Sequence, residues 1–182
     1  MKKLFFILLA LICLTACGKA ETPPEGAVAR VGDEYIHAEA VEGDRLLGVS
    51  GTDREITEDK VLNMLMLLEA EKVGLAATEE EIAEFMSYQE QVWFSPSVRE
   101  QIEAMYEPLG IDFEGYKAMV LETAPKAIAR QKLRDHYGQE YCDKNGLQFT
   151  KVNPSAEMTG YADEQLQKLW SKYKGEYDIY ID

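Results

Sequence analysis

Val61-Leu62-Asn63-Met64-Leu65-Met66-Leu67-Leu68-Glu69-Ala70-Glu71-Lys72-Val73-Gly74-Leu75 is the stretch on which the fold turns. Its first half, residues 61–68, is apolar on nearly every side of a helix, the mark of a segment with neighbours packed all round it. Thr57-Glu58-Asp59 stands just upstream: a hydroxyl cap and two acids where the helix dipole favours negative charge. The helix is expected to start there and to end at Gly74, since glycine readily takes the left-handed conformation that closes helices.

Downstream, Thr78-Glu79-Glu80-Glu81 reads as a capping box, and Ile82, Phe85, Met86, Val92 and Trp93 form the apolar stripe of the helix it opens. Ser95-Pro96 starts another, with proline where no amide bond is lost, and Val98, Ile102, Met105, Tyr106 and Leu109 line it up to Gly110. Asp112 caps the next, whose stripe runs through Phe113, Tyr116, Val120, Ala127 or Ile128, and Leu133. Pro125 lies inside that pattern and predicts a kink or a break near Ala124. After Asn145-Gly146, residues 147–152 read as extended and 153–160 as a loop. Leu166, Leu169, Trp170 and Tyr173 make a final amphipathic helix, and Tyr177-Asp178-Ile179-Tyr180-Ile181 alternates as a strand does.

Upstream, Ala27-Val28-Ala29-Arg30-Val31-Gly32-Asp33-Glu34-Tyr35-Ile36 gives two short β-prone runs around a Gly-Asp turn. A helix weakened by Gly43 and Gly48 follows from His37. The expected fold class is mainly α with minor β: a helical domain whose small antiparallel sheet is built by the N-terminal hairpin and the C-terminal strand. Tyr177–Ile181 is predicted to pair with the hairpin of residues 28–36.

The N-terminus reads as an export signal. Lys2-Lys3, the eleven apolar residues from Leu4 to Leu14 and the ending Leu14-Thr15-Ala16-Cys17 follow the order of a secretory signal. Eleven residues are too few to span a bilayer core of about 30 Å as a helix. Leu14-Thr15-Ala16-Cys17 resembles the lipobox of bacterial lipoproteins, in which the cysteine takes a diacylglycerol thioether. That resemblance implies removal of residues 1–16, lipid attachment at Cys17 and a place outside the cytoplasm, anchored to the membrane of a bacterial cell envelope. Lys19-Ala20-Glu21-Thr22-Pro23-Pro24-Glu25-Gly26 is polar and reads as the end of a tether, residues 17–26, that leads to a single domain over 27–182.

The whole chain has 19 Lys and Arg against 33 Asp and Glu, a formal charge of −14. Loss of Lys2 and Lys3 with the signal takes this to −16. Such a surface repels phosphates, so nucleic acid is excluded as a partner, and attachment to anionic lipid falls to the acyl chains. Cys13 leaves with the signal and Cys17 is acylated. Cys142 then remains alone, no internal disulfide forms, and an apolar core must hold the domain together.

Residues 27–146 resemble the N-terminal chaperone domain of the SurA and PrsA foldases, related in fold to the C-terminal chaperone part of trigger factor. Val28-Ala29-Arg30-Val31-Gly32-Asp33-Glu34-Tyr35-Ile36 matches the family's opening strand, turn and strand, with Gly-Asp where Asn-Gly is usual. The stretch from Val61 to Leu75 matches its central helix, Thr78-Glu79-Glu80-Glu81-Ile82 the next helix start, and Gly110-Ile111-Asp112-Phe113-Glu114-Gly115-Tyr116 the last. In the foldases a parvulin-type prolyl isomerase domain of about a hundred residues normally follows. Here 36 residues follow Gly146, too few for it. The resemblance implies holding of unfolded or extended polypeptide without isomerase chemistry, with residues 147–182 as a return segment packed on the N-terminal block.

No catalytic constellation stands out. His37 and His136 share no ligand spacing, and neither a phosphate loop nor a nucleophile elbow is present. Asp143-Lys144-Asn145-Gly146 fails as a calcium loop, because Tyr141 and Val152 would occupy its first and twelfth positions. The expectation is a non-enzymatic protein without cofactor or metal. Chain binding needs exposed apolar side chains that repack, a role suited to Met and aromatic residues. The candidates are Met86, Tyr88, Trp93, Phe94, Met105 and Tyr106, with the adjacent rings Trp93 and Phe94 hard to bury together. The partner classes are exported unfolded polypeptides or, alternatively, one folded protein that the chain helps to assemble, with a homodimer open.

Overall fold

Gly32 adopts φ 60°, and its turn with Asp33 joins strand β1 (Ala27–Val31) to strand β2 (Glu34–His37) as an antiparallel hairpin. The computed structural model describes residues 23–175, 180 and 181. Tyr180 and Ile181 form a short strand β3 on the other edge of β1, with Ala29 facing Ile181 and Arg30 facing Tyr180. The sheet order is β2-β1-β3. The predicted return of the tail to the hairpin holds for these two residues. Tyr177, Asp178 and Ile179 lie outside the described residues, as do the signal segment and Cys17.

The rest is helical: α1 (Ala38–Leu46), α2 (Asp53–Lys72), α3 (Glu79–Trp93), α4 (Pro96–Tyr106), a 3-10 turn (Glu107–Leu109), α5 (Phe113–Asn145) and α6 (Ala156–Tyr173). Mainly α with a small antiparallel sheet is therefore the fold class. Among the described residues no helix is long and apolar enough to cross a membrane.

Four boundaries differ from the sequence expectation, each for a local reason. Helix α2 starts at Asp53 rather than near Thr57, because Thr52 and Glu55 form a full capping box: the Glu55 amide donates to Thr52 Oγ1 and the Thr52 amide to Glu55 Oε2. Thr57 lies buried one turn inside, its hydroxyl donating 2.7 Å to the Asp53 carbonyl. Helix α5 runs unbroken through Pro125. Packing by buried Ala124 and Ala129 on either side carries it through. Proline removes one amide, whose partner would be the carbonyl of exposed Leu121.

Residues 147–152 form no strand. Phe149 instead packs on α5 where Gly138 leaves room; a Cβ at Gly138 would lie 3.0 Å from the Phe149 ring. Finally, α6 starts inside the expected loop, capped by Ser155, which accepts from the Met158 amide at 3.2 Å. The predicted closure of α2 is met in full. Gly74 has φ 75°, its amide reaches the Glu71 carbonyl, and the Leu75 amide reaches the Ala70 carbonyl at 2.7 Å, the paired bonds of a Schellman end.

The main core joins Ala29, Val31 and Ile36 of the sheet to Val41 of α1, and to Ile56, Val61, Leu65, Met66 and Ala70 of α2. Ala129 and Leu133 of α5 and Leu166, Leu169 and Tyr173 of α6 complete it. Glu69 is buried at the α2–α6 seam, where Tyr173 Oη donates to it at 2.8 Å and Lys172 Nζ at 2.5 Å. No residue of α3 or α4 belongs to this core.

Candidate functional site

The six candidate side chains divide between the inside and the outside of the α3–α4 region. Trp93 is buried, its ring edge-on to Phe113 (centroids 6.1 Å apart) and to Tyr116 (5.8 Å). Tyr106 is half-buried and lies 4.9 Å from Tyr116, and burial pushes its hydroxyl pKa upward. These rings bind α3, α4 and the start of α5 into a small aromatic core, with the Arg99 guanidinium 4.4 Å above Phe113. Trp93 and Tyr106 thus hold the region together, Trp93 from inside it and Tyr106 from its edge. Met86 is half-buried.

Tyr88, Phe94 and Met105 face solvent, with 63 %, 90 % and 54 % of their surface exposed. The contrast between Trp93 and Phe94 follows from the helix end. Trp93 is the last residue of α3 and turns inward, whereas Phe94 is its cap, with no neighbour to cover its ring.

A second apolar surface lies on α2, where the sequence pattern implies full cover. Met64, Leu67, Leu68 and Glu71 recur at i, i+3, i+4 and i+7 along α2 and form one wall of an open groove of about 550 Å³. The opposite wall is Pro125, Lys126 and Ala129 of α5. The hairpin turn, residues 31–34, closes one end, and Ala76 and Ala77 also line the groove. Lys132 pins the base of α3 beside it, donating at 2.9 Å to both the Ala76 carbonyl and Glu81 Oε2. The Glu81 carboxyl is held below its usual pKa by the Thr78 amide and by Lys132.

The sequence signal for this groove is the apolar run itself. Residues 61–68 are apolar all round, which suggests cover on every side. Yet Met64, Leu67 and Leu68 are only half-buried, and the described residues supply nothing to complete their burial.

Two further hollows lie elsewhere. One, of about 470 Å³, opens beside α1 between Val28, Val41, Leu46 and Leu109. The other, of about 460 Å³, is lined by Glu55, Glu58, Asp59 and Trp170. Among the described residues no three His, Cys, Asp or Glu side chains are grouped to hold a metal ion. Cys142 is buried, its Sγ 3.6 Å from Met158 Sδ. His136 Nε2 lies 3.6 Å from Glu140 Oε1 on the exposed face of α5.

What these surfaces offer is apolar contact. The groove presents flexible Met and Leu side chains, and α3 and α4 present one bare ring, a tyrosine and a methionine. Compared with known proteins, the chain finds no counterpart: no family model, no curated protein and no solved structure matches it.

Proposed function

We propose that this protein is a polypeptide-holding module of the bacterial cell envelope, anchored by lipid at Cys17. The observation that carries the reading is the open groove on α2, where Met64, Leu67 and Leu68 stay partly uncovered on the helix that builds the core. Unbranched Met suits a surface that must accept differing side chains. The exposed Phe94, Tyr88 and Met105 extend the apolar surface available to a long client. The resemblance of residues 27–146 to foldase chaperone domains supports the same reading.

The test replaces Leu67 and Leu68 together by Gln and follows aggregation of a chemically unfolded client with the purified chain in excess. Both side chains keep part of their surface in solvent at the edge of the core, and circular dichroism checks that the double variant folds. The parent is expected to slow aggregation and the variant to lose most of that effect. Equal protection by a folded variant overturns the groove as the holding site.

A further inference from the structure

We infer that the α2–α5 groove selects apolar segments flanked by Lys or Arg, an inference that rests on the holding function proposed above. Asp33 and Glu34 stand at the hairpin end of the groove and Glu71 on its α2 wall, all three exposed. Lys126 is the cation among the lining residues. Among the described residues none of these three carboxylates has an ion-pair partner.

The groove therefore couples an apolar floor to a rim that carries three carboxylates against one lysine. An apolar side chain seated on Met64, Leu67 and Leu68 would place its neighbours in sequence at that rim. Cationic neighbours gain attraction there, and acidic ones meet repulsion, which discriminates as well as attracts. A second copy of the chain, with formal charge −14, is a poor occupant on the same argument.

The experiment measures binding of three labelled synthetic peptides by fluorescence anisotropy, with Leu alternating with Lys, Gln or Glu. The parent is expected to bind in the order Lys, Gln, Glu, with the Lys peptide favoured over Gln by about tenfold at low salt and the gap narrowing in high salt. Asp33→Asn, Glu34→Gln and Glu71→Gln together are expected to remove most of the Lys-over-Gln preference while leaving Leu–Gln binding unchanged. A control triple, Glu90→Gln and Glu100→Gln with Glu107→Gln, removes the same charge at exposed residues outside the groove lining and is expected to keep the preference.

Equal loss in both triples assigns the preference to net charge and overturns the inference. So does equal binding of the Lys and Gln peptides to the parent, with the holding function left standing. Absence of binding by every peptide overturns both.

Discussion

The two halves of α5 sit in different surroundings. Its C-terminal half delivers Ala129 and Leu133 to a core shared with the sheet, α2 and α6, where Leu65 and Leu133 are wholly buried. Its N-terminal half delivers Phe113 and Tyr116 to a ring cluster with Trp93 and Tyr106, and the buried apolar residues there are few: Trp93, Phe113 and Ala124. The first region is held by aliphatic packing from many elements, the second by aromatic edges from three helices. A region with so little buried area opens at lower free energy than the core to which it is attached. Surfaces that must adapt to varied chains are better placed on such a region than on the core itself.

The sharpest way to break this contrast is to truncate one residue in each region. Leu133→Ala is expected to lower global stability by about 4 kcal/mol, as a leucine with no exposed surface in a many-sided core does. Trp93→Ala is expected to cost about 3 kcal/mol, felt mainly in α3 and α4. Native-state hydrogen exchange separates the two. Leu133→Ala should raise exchange throughout, while Trp93→Ala should raise it over Glu79–Trp93 and Pro96–Tyr106 and spare α2 and α6. Uniform loss in both variants means that the two regions are one cooperative unit.

A smaller effect belongs to the seam between α2 and α6. Burial acts to raise the Glu69 pKa, but hydrogen bonds from Lys172 and Tyr173, with the charges of Lys172 and Lys72, outweigh it and leave the pKa lowered. A carboxyl with a depressed folded pKa contributes stability that is fully present above its unfolded value and is lost as pH falls through the folded value. The parent should therefore lose this contribution only below the ordinary glutamate range. Tyr173→Phe removes one of the lowering bonds, so it should cost about 1 kcal/mol near neutral pH and bring acid loss on at higher pH. Denaturant titrations across the acid range read both changes. An acid profile identical to the parent's means that the Tyr173 bond does not set the Glu69 titration.

Much of this architecture was legible in local chemistry, and the misreadings share a cause. Thr78-Glu79-Glu80-Glu81 and Thr52-Asp53-Arg54-Glu55 are the same capping pattern. Thr57-Glu58-Asp59 masks the second by offering a competing start nearer the apolar run. Pro125 signalled a break that packing at Ala124 and Ala129 overrides, since propensity is a weak prior against tertiary contact. Gly138 was the overlooked sign that Phe149 packs closely on α5. For the site, sequence could tell that Trp93 and Phe94 would not both be buried, but not which one. That depended on α3 ending at Trp93 against Phe113 and Tyr116, which are distant in sequence. The groove was hidden because periodicity reports where apolar residues lie and not whether anything covers them.

The outermost ring gives the finest test of the contrast. Phe94 is 90 % exposed and caps α3 without touching the cluster that Trp93 anchors. Phe94→Ser should change stability by less than about 0.5 kcal/mol, since exposed positions away from caps with side-chain bonds and buried networks tolerate exchange. Its effect on clients is expected to be larger than its effect on the fold. Loss of one aromatic contact of about 1 kcal/mol weakens holding roughly fivefold. Aggregation assays run beside thermal melts of the same samples compare the two effects directly. Unchanged melting with reduced protection places the ring on the client. Unchanged protection confines holding to the groove on α2, and the exposure of Phe94 then reflects only that α3 ends before a neighbour can reach it.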